Sequence, residues 1–111
     1  MKKFVFIGLM VAFVASMAFA QQRFNSGTFT ATAQGYAGAM TISVTFNATN
    51  IVAINVVSHS DTPAFANMVW NNLIPAIISA QSTNVDVISG ATLTSRGLLQ
   101  AVENAMGQAS L

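Results

Sequence analysis

The chain has 111 residues, enough for one domain, with 53% hydrophobic and only 6% charged residues. It carries a formal charge of +1 and no cysteine, which excludes a disulfide framework, thiol chemistry, cysteine-ligated zinc or iron–sulfur clusters and a lipidated cysteine. A single histidine leaves a transition-metal site without a ligand set, so no metal is expected.

Met1-Lys2-Lys3 is a basic start, the run after it is apolar, and Ala18-Phe19-Ala20 has the small residues of a cleavage site. Residues 1–20 therefore read as a secretory signal peptide, implying export to the periplasm or the extracellular space. The alternative is an uncleaved anchor, for which Phe4 to Ala20 is at the short limit of the roughly 30 Å hydrocarbon span. Cleavage leaves Arg23 and Arg96 against Asp61, Asp86 and Glu103, one net negative charge. No basic stripe remains, and no nucleic-acid partner is expected.

Residues 21–26 form a polar lead-in, and the domain proper runs over residues 27–111. Phe29, Ala31 and Ala33 alternate with threonines; after the Gly35-Tyr36-Ala37-Gly38 turn, Met40, Ile42, Val44 and Phe46 alternate with Thr41, Ser43 and Thr45. Period two over such lengths predicts half-buried strands. Asn47-Ala48-Thr49-Asn50 is the next turn, and its match to a glycosylation sequon is of a kind that short turns meet by chance. Ile51 to Val57 is more continuously apolar, as in a central strand covered on both faces.

Asp61-Thr62-Pro63 is a helix start, with Phe65, Met68, Val69 and Leu73 at helical spacing. Pro75 predicts a break, giving one helix to about Asn72 and a second from Pro75 to about Ala80. A short strand is expected over Asn84 to Ile88, and a last helix from about Thr94 to Ala109 with an apolar stripe of Leu98, Leu99, Val102, Ala105, Met106 and Ala109. The order predicts an α+β fold: an antiparallel sheet of three meander strands plus one further short strand, with helices packed on one face.

Between the predicted short strand and the last helix lies Asp86-Val87-Ile88-Ser89-Gly90-Ala91-Thr92. A hydroxyl after a Ser-Gly-Ala turn at the mouth of a helix suits an anion, because the first N–H groups lack intrahelical partners and the dipole is positive there. No Asp or Glu lies between Thr92 and Val102, and Arg96 is in the first turn. On the residues alone, Thr92 reads first as a helix-capping threonine.

Asp86-x-x-Ser89-Gly90-Ala91-Thr92 resembles the flavinylation motif of FMN-binding domains, found in the C and G subunits of sodium-pumping and Rnf-type oxidoreductases and in small secreted flavoproteins. The likeness covers roughly residues 27 to 109, with Tyr36-x-Gly38, Val57-Ser58-His59-Ser60-Asp61-Thr62-Pro63, Leu73-Ile74-Pro75 and Ala80-Gln81-Ser82 in the family order. It implies that Thr92 carries FMN through a phosphoester installed from FAD by a magnesium-dependent flavin transferase. By the same resemblance Ser89, Gly90 and Ala91 form the turn, and Asp86 belongs to the segment that the transferase reads. His59 and Thr62 are expected near the cofactor, and the N–H groups of Leu93 and Thr94 are expected to share the phosphodiester charge. Asn47-Ala48-Thr49-Asn50 departs from the family's acidic-Gly-Lys turn.

A hydrolase reading of His59-Ser60-Asp61 fails because adjacent residues of an extended segment face opposite ways, and Val87 stands where a Gly-x-Ser-x-Gly elbow needs glycine. Tyr36, Phe65 and Trp70 are aromatic enough to stack on a flavin, but each is first a core candidate, Phe65 most of all. A chain this size has little room for both a flavin site and a substrate pocket. The expected function is an electron carrier or relay, served by a flavin transferase and by a redox partner protein or membrane electron-transfer complex. The alternatives are a reversible FMN binder of the same fold and a non-redox secreted structural module.

Overall fold

The computed structural model describes residues 22–111, so the leader expected over residues 1–20 lies outside the described residues. Three strands, β1 (Gly27–Gln34), β2 (Ala39–Phe46) and β3 (Ile51–Ser58), form an antiparallel meander in the order β1-β2-β3. Two helices follow, α1 (Pro63–Ala80) and α2 (Thr92–Ala109). The helices pack on the same face of the sheet, α2 against β1 and β2 and α1 against β3. The α+β architecture is the one expected.

Alternation along β1 and β2 decides which face is covered. Ala31, Met40, Ile42, Val44 and Phe46 point into the core beside Leu98, Val102 and Ala105 of α2. The opposite face is hydroxyl-rich, and two of its cross-strand pairs are hydrogen-bonded, Thr28 with Thr45 and Thr32 with Thr41. In the turn after β2, the Asn47 side chain accepts from the N–H groups of Thr49 and Asn50, so the sequon residues have a local structural role.

Five expectations need correction. β3 is an edge strand, not a central one. Its pairing slips between Thr41 and Ile42 and between Thr45 and Phe46, leaving Val57 and Val52 as extra residues, 61% and 50% exposed. Each bulge adds one residue and interrupts the alternation, so the strand reads as a continuous apolar run.

Residues 63–80 are one helix with Pro75 inside it. Ala66, Val69, Leu73 and Ile77 form an unbroken buried stripe that spans the proline. Pro75 is on the exposed side of the helix, as is Asn71, whose carbonyl loses its partner. Burial of Leu73 and Ile77, about 1.5–3 kcal/mol each, offsets the roughly 3 kcal/mol an interior proline costs.

Phe65 and Met68 are off that stripe, 51% and 39% exposed. Residues 84–88 form no strand. Side-chain amides engage part of each sheet edge. Asn104 and Gln108 of α2 donate to the carbonyls of Thr32 and Thr30, while Gln81 both accepts from the N–H of Ile51 and donates to its carbonyl. The segment instead packs Val85 and Ile88 against the core. The last helix also begins earlier than expected, at Thr92.

Candidate functional site

The starts of both helices and the β1–β2 turn meet around one cleft of about 500 Å³, within the usual range of ligand pockets. Tyr36 of the turn, Thr62 and Phe65 at the start of α1, and Gly90 to Thr94 at the start of α2 line it.

The α2 wall is shaped by its approach. Gly90 has φ +84°, a left-handed conformation that a side chain disfavours, and no atom crowds the space where a Cβ would stand. The chain then turns through Ala91, whose N–H donates to Ile88 and whose carbonyl accepts the first helical bond, from Ser95. The fully buried Ser95 hydroxyl donates to the Ala91 carbonyl at 2.8 Å and accepts from the Ile88 N–H at 3.0 Å. The cap position is therefore Ala91, and no side chain caps this helix. Thr92 is the first helical residue, half-buried in the cleft wall. Among the described residues nothing accepts from the N–H groups of Thr92, Leu93 or Thr94, and no acidic residue lies in the first turn. The arrangement is an uncapped helix end with a free hydroxyl at its first residue, and such ends carry unpartnered donors and the positive pole of the helix dipole.

Asp61, not itself a lining residue, ties two of the cleft's walls together. It is 4% exposed, and its carboxylate accepts from the N–H of Tyr36 at 3.0 Å, the N–H of Ala37 at 2.7 Å and the hydroxyl of Thr94 at 2.6 Å. Burial alone raises the pKa of such a carboxyl; the hydrogen bonds from Thr94, Ala37 and Tyr36, with the nearby His59, outweigh that and hold it below its ordinary value. Two glycines make the close approach possible. A Cβ on Gly35 would lie 2.6 Å from Asp61 Oδ2, and one on Gly97 would lie 2.7 Å from the carbonyl of Gln34. One carboxylate thus joins the β1–β2 turn to α2 from two residues before α1.

Of the residues singled out in the sequence, Thr62, Gly90, Ala91, Thr92, Leu93 and Thr94 share the cleft wall. Asp86 and Ser89 are exposed on the loop leading to it. His59 is half-buried outside the wall, edge-on to Trp70 with ring centroids 5.4 Å apart. Its Nδ1 accepts from the backbone N–H of Asp61 and so is not donating to a carboxylate, as a catalytic relay would require. Sequence reasoning placed Phe65 in the core and gave Asp61 only a capping role. The Asp-Thr-Pro start and the small Gly35 and Gly97 were the available signals. No group of three or more acidic, histidine or cysteine side chains among the described residues is placed to hold a metal. No helix among them is long and apolar enough to cross a membrane.

Comparison with known proteins adds two relatives. An uncharacterised protein of Treponema pallidum (strain Nichols) is 42% identical over 84 residues, 76% of this chain and 23% of that protein. An NADH:acrylate oxidoreductase of Vibrio harveyi is 38% identical over 84 residues, 76% of this chain and 8% of that protein. The chain therefore spans under a quarter of either relative. Residues 35–107, from the glycine beneath Asp61 to the last turns of α2, match the FMN-binding domain, and the chain belongs to that FMN-binding family.

Proposed function

We propose that this chain is an exported electron-transfer domain whose FMN is esterified to Thr92. The observation that carries the reading is the free Thr92 hydroxyl, set at the first residue of an uncapped helix inside the cleft. The residues present fit a flavin nucleotide. Three unpartnered N–H groups suit its phosphate, and the exposed apolar surfaces of Tyr36, Phe65 and Leu93 suit an aromatic ring system.

In this reading Thr92 Oγ forms a bond to the FMN-side phosphorus of FAD on a magnesium-dependent flavin transferase. The pyrophosphate P–O bond breaks, AMP leaves, and the hydroxyl proton passes to a base of the transferase. The phosphate then carries one negative charge, and the N–H groups of Leu93 and Thr94 hold it on the positive end of α2. The bound flavin supplies one- and two-electron redox chemistry, and the protein sets its position and surroundings. A tether frees an exported protein from dependence on ambient flavin, since occupancy of a dissociable site follows ligand concentration relative to Kd.

The relay role rests on the small size of the matched module within much longer relatives, one of them named an oxidoreductase. Its partners are a flavin transferase for maturation and a redox protein or membrane electron-transfer complex for turnover. Export rests on residues 1–20 and leads to the periplasm or the extracellular space.

The test is intact mass of the full chain after co-expression with a flavin transferase and export. The expected product is heavier by one FMN less one water and fluoresces after denaturing electrophoresis, and Thr92→Ala abolishes both. Flavin that runs in the dye front would make the chain a reversible binder. An unchanged mass gain in the variant would move the attachment elsewhere.

A further inference from the structure

Tyr36 combines two features that pull apart in ordinary surface tyrosines. The residue is 68% exposed and lines the cleft, yet its backbone N–H is fixed to a carboxylate that is 4% exposed. The same carboxylate holds the neighbouring Ala37 N–H and the hydroxyl of Thr94, two residues beyond Thr92. Close packing reinforces the link, with Gly35 against Asp61 and Gly97 against the Gln34 carbonyl. The turn therefore cannot slide over α2 without breaking charge-assisted hydrogen bonds in a buried setting. Trp70, the larger aromatic, lies outside the cleft wall and packs edge-on to His59.

We infer that Tyr36 stacks on the isoalloxazine ring and that Asp61 is the positioning residue that fixes Tyr36 relative to the Thr92 attachment point. The inference rests on the flavin reading above and deepens it. Asp61 touches neither the reacting hydroxyl nor the ring; it acts through the turn and through Thr94. A phenol in contact with a flavin is an electron donor to its excited state and quenches its emission, and a fixed aromatic neighbour gives the ring a chiral environment.

The experiment uses the full chain carrying FMN, with mass measured first and then flavin emission and visible circular dichroism. Tyr36→Ala, at an exposed side chain that leaves the core intact, is expected to raise the emission and to lose most of the visible dichroism. Tyr36→Phe is expected to keep the dichroism, and Trp70→Phe to leave both signals unchanged. Asp61→Asn and the milder Thr94→Val are expected to reproduce the Tyr36→Ala spectra in part, at temperatures where far-ultraviolet dichroism shows both variants folded. Asp61→Glu is expected to restore them partly.

Wild-type spectra in Tyr36→Ala would overturn the stacking role. Wild-type spectra in folded Thr94→Val and Asp61→Asn would reduce Asp61 to a structural residue. If the wild-type mass shows no covalent flavin, the tether alone has failed. The same spectra taken with free FMN bound still decide the roles of Tyr36 and Asp61.

Discussion

Two segments deliver the helices to the cleft, and they are built in opposite ways. The first, from His59 to Thr62, is short and centred on a buried carboxylate with three donors. The second, from Gln81 to Ala91, is longer and keeps Asn84, Asp86, Val87, Ser89 and Gly90 in water. It is pinned at its start by Gln81 on Ile51 and Thr83 on Glu103, and at its end by the Ser95 hydroxyl and the Ala91 carbonyl. The contrast suits two different tasks. A wall that keeps its shape must be internally satisfied, whereas a segment open to a partner must offer groups not already engaged.

Removing the lock should have the largest effect on stability. Asp61→Ala strands the hydroxyl of Thr94 and the N–H groups of Tyr36 and Ala37. Unmet donors in buried positions cost about 1–3 kcal/mol each, and partial access of water through the cleft brings the expected total to about 3 kcal/mol. Urea denaturation should show this as a lower midpoint at an unchanged slope. A midpoint within error of wild type would mean that the lock holds nothing.

Gly97→Ala probes the same wall from the helix side. Its Cβ would meet backbone, the Gln34 carbonyl at 2.7 Å, as well as the movable Met40 Cε at 2.8 Å. Overpacking of this kind should cost about 1–3 kcal/mol, even though alanine is the better helix former. A stabilised variant, read by thermal melting, would show that the turn is free to move away and that the wall is softer than the hydrogen bonds imply.

Acid provides a third and smaller handle. The Asp61 carboxyl is held below its ordinary value of about 3.9 in the folded state, so its contribution to stability is fully present above that value. It declines as pH falls through the depressed folded value. Melting temperatures should therefore fall in wild type as pH drops below about 4. Asp61→Asn, less stable at neutral pH, should show a shallower decline. Parallel curves for the two proteins would contradict the assignment.

The same contrast explains what could be read from the residues alone. β1 and β2 were legible because one face of each is buried and the other wet, which writes a period of two into the chain. β3 was misplaced in the sheet because its bulge residues, Val52 and Val57, are apolar and outside. Helix α1 was divided at Pro75 because local backbone chemistry carries no information about a buried stripe crossing the proline. The α2 side of the cleft was visible as Ser89-Gly90-Ala91-Thr92, since a tight turn and a helix start leave local marks. The Asp61 side was not, because its partners Tyr36, Ala37 and Thr94 lie 25, 24 and 33 residues away. Phe65 was assigned inward for a related reason: helical spacing identifies a set of apolar residues but not where a cleft interrupts the covered face.

The smallest expected stability change tests the exposed segment. Asp86 is exposed, and none of the side-chain hydrogen bonds among the described residues involves its carboxylate. Asp86→Ala should therefore alter stability by less than about 0.5 kcal/mol. If the second segment is what the flavin transferase reads, the same variant should still lose much of its covalent flavin, measured as the modified fraction by intact mass at limiting transferase. Asp61→Ala, compared after its folding has been secured by low temperature, should be modified and yet give altered flavin spectra. Opposite profiles for two aspartates leading into one cleft would separate the group that shapes the site from the group that recruits the enzyme. Full modification of Asp86→Ala would leave Ser89-Gly90-Ala91-Thr92 and the uncapped helix start as the features that the transferase recognises.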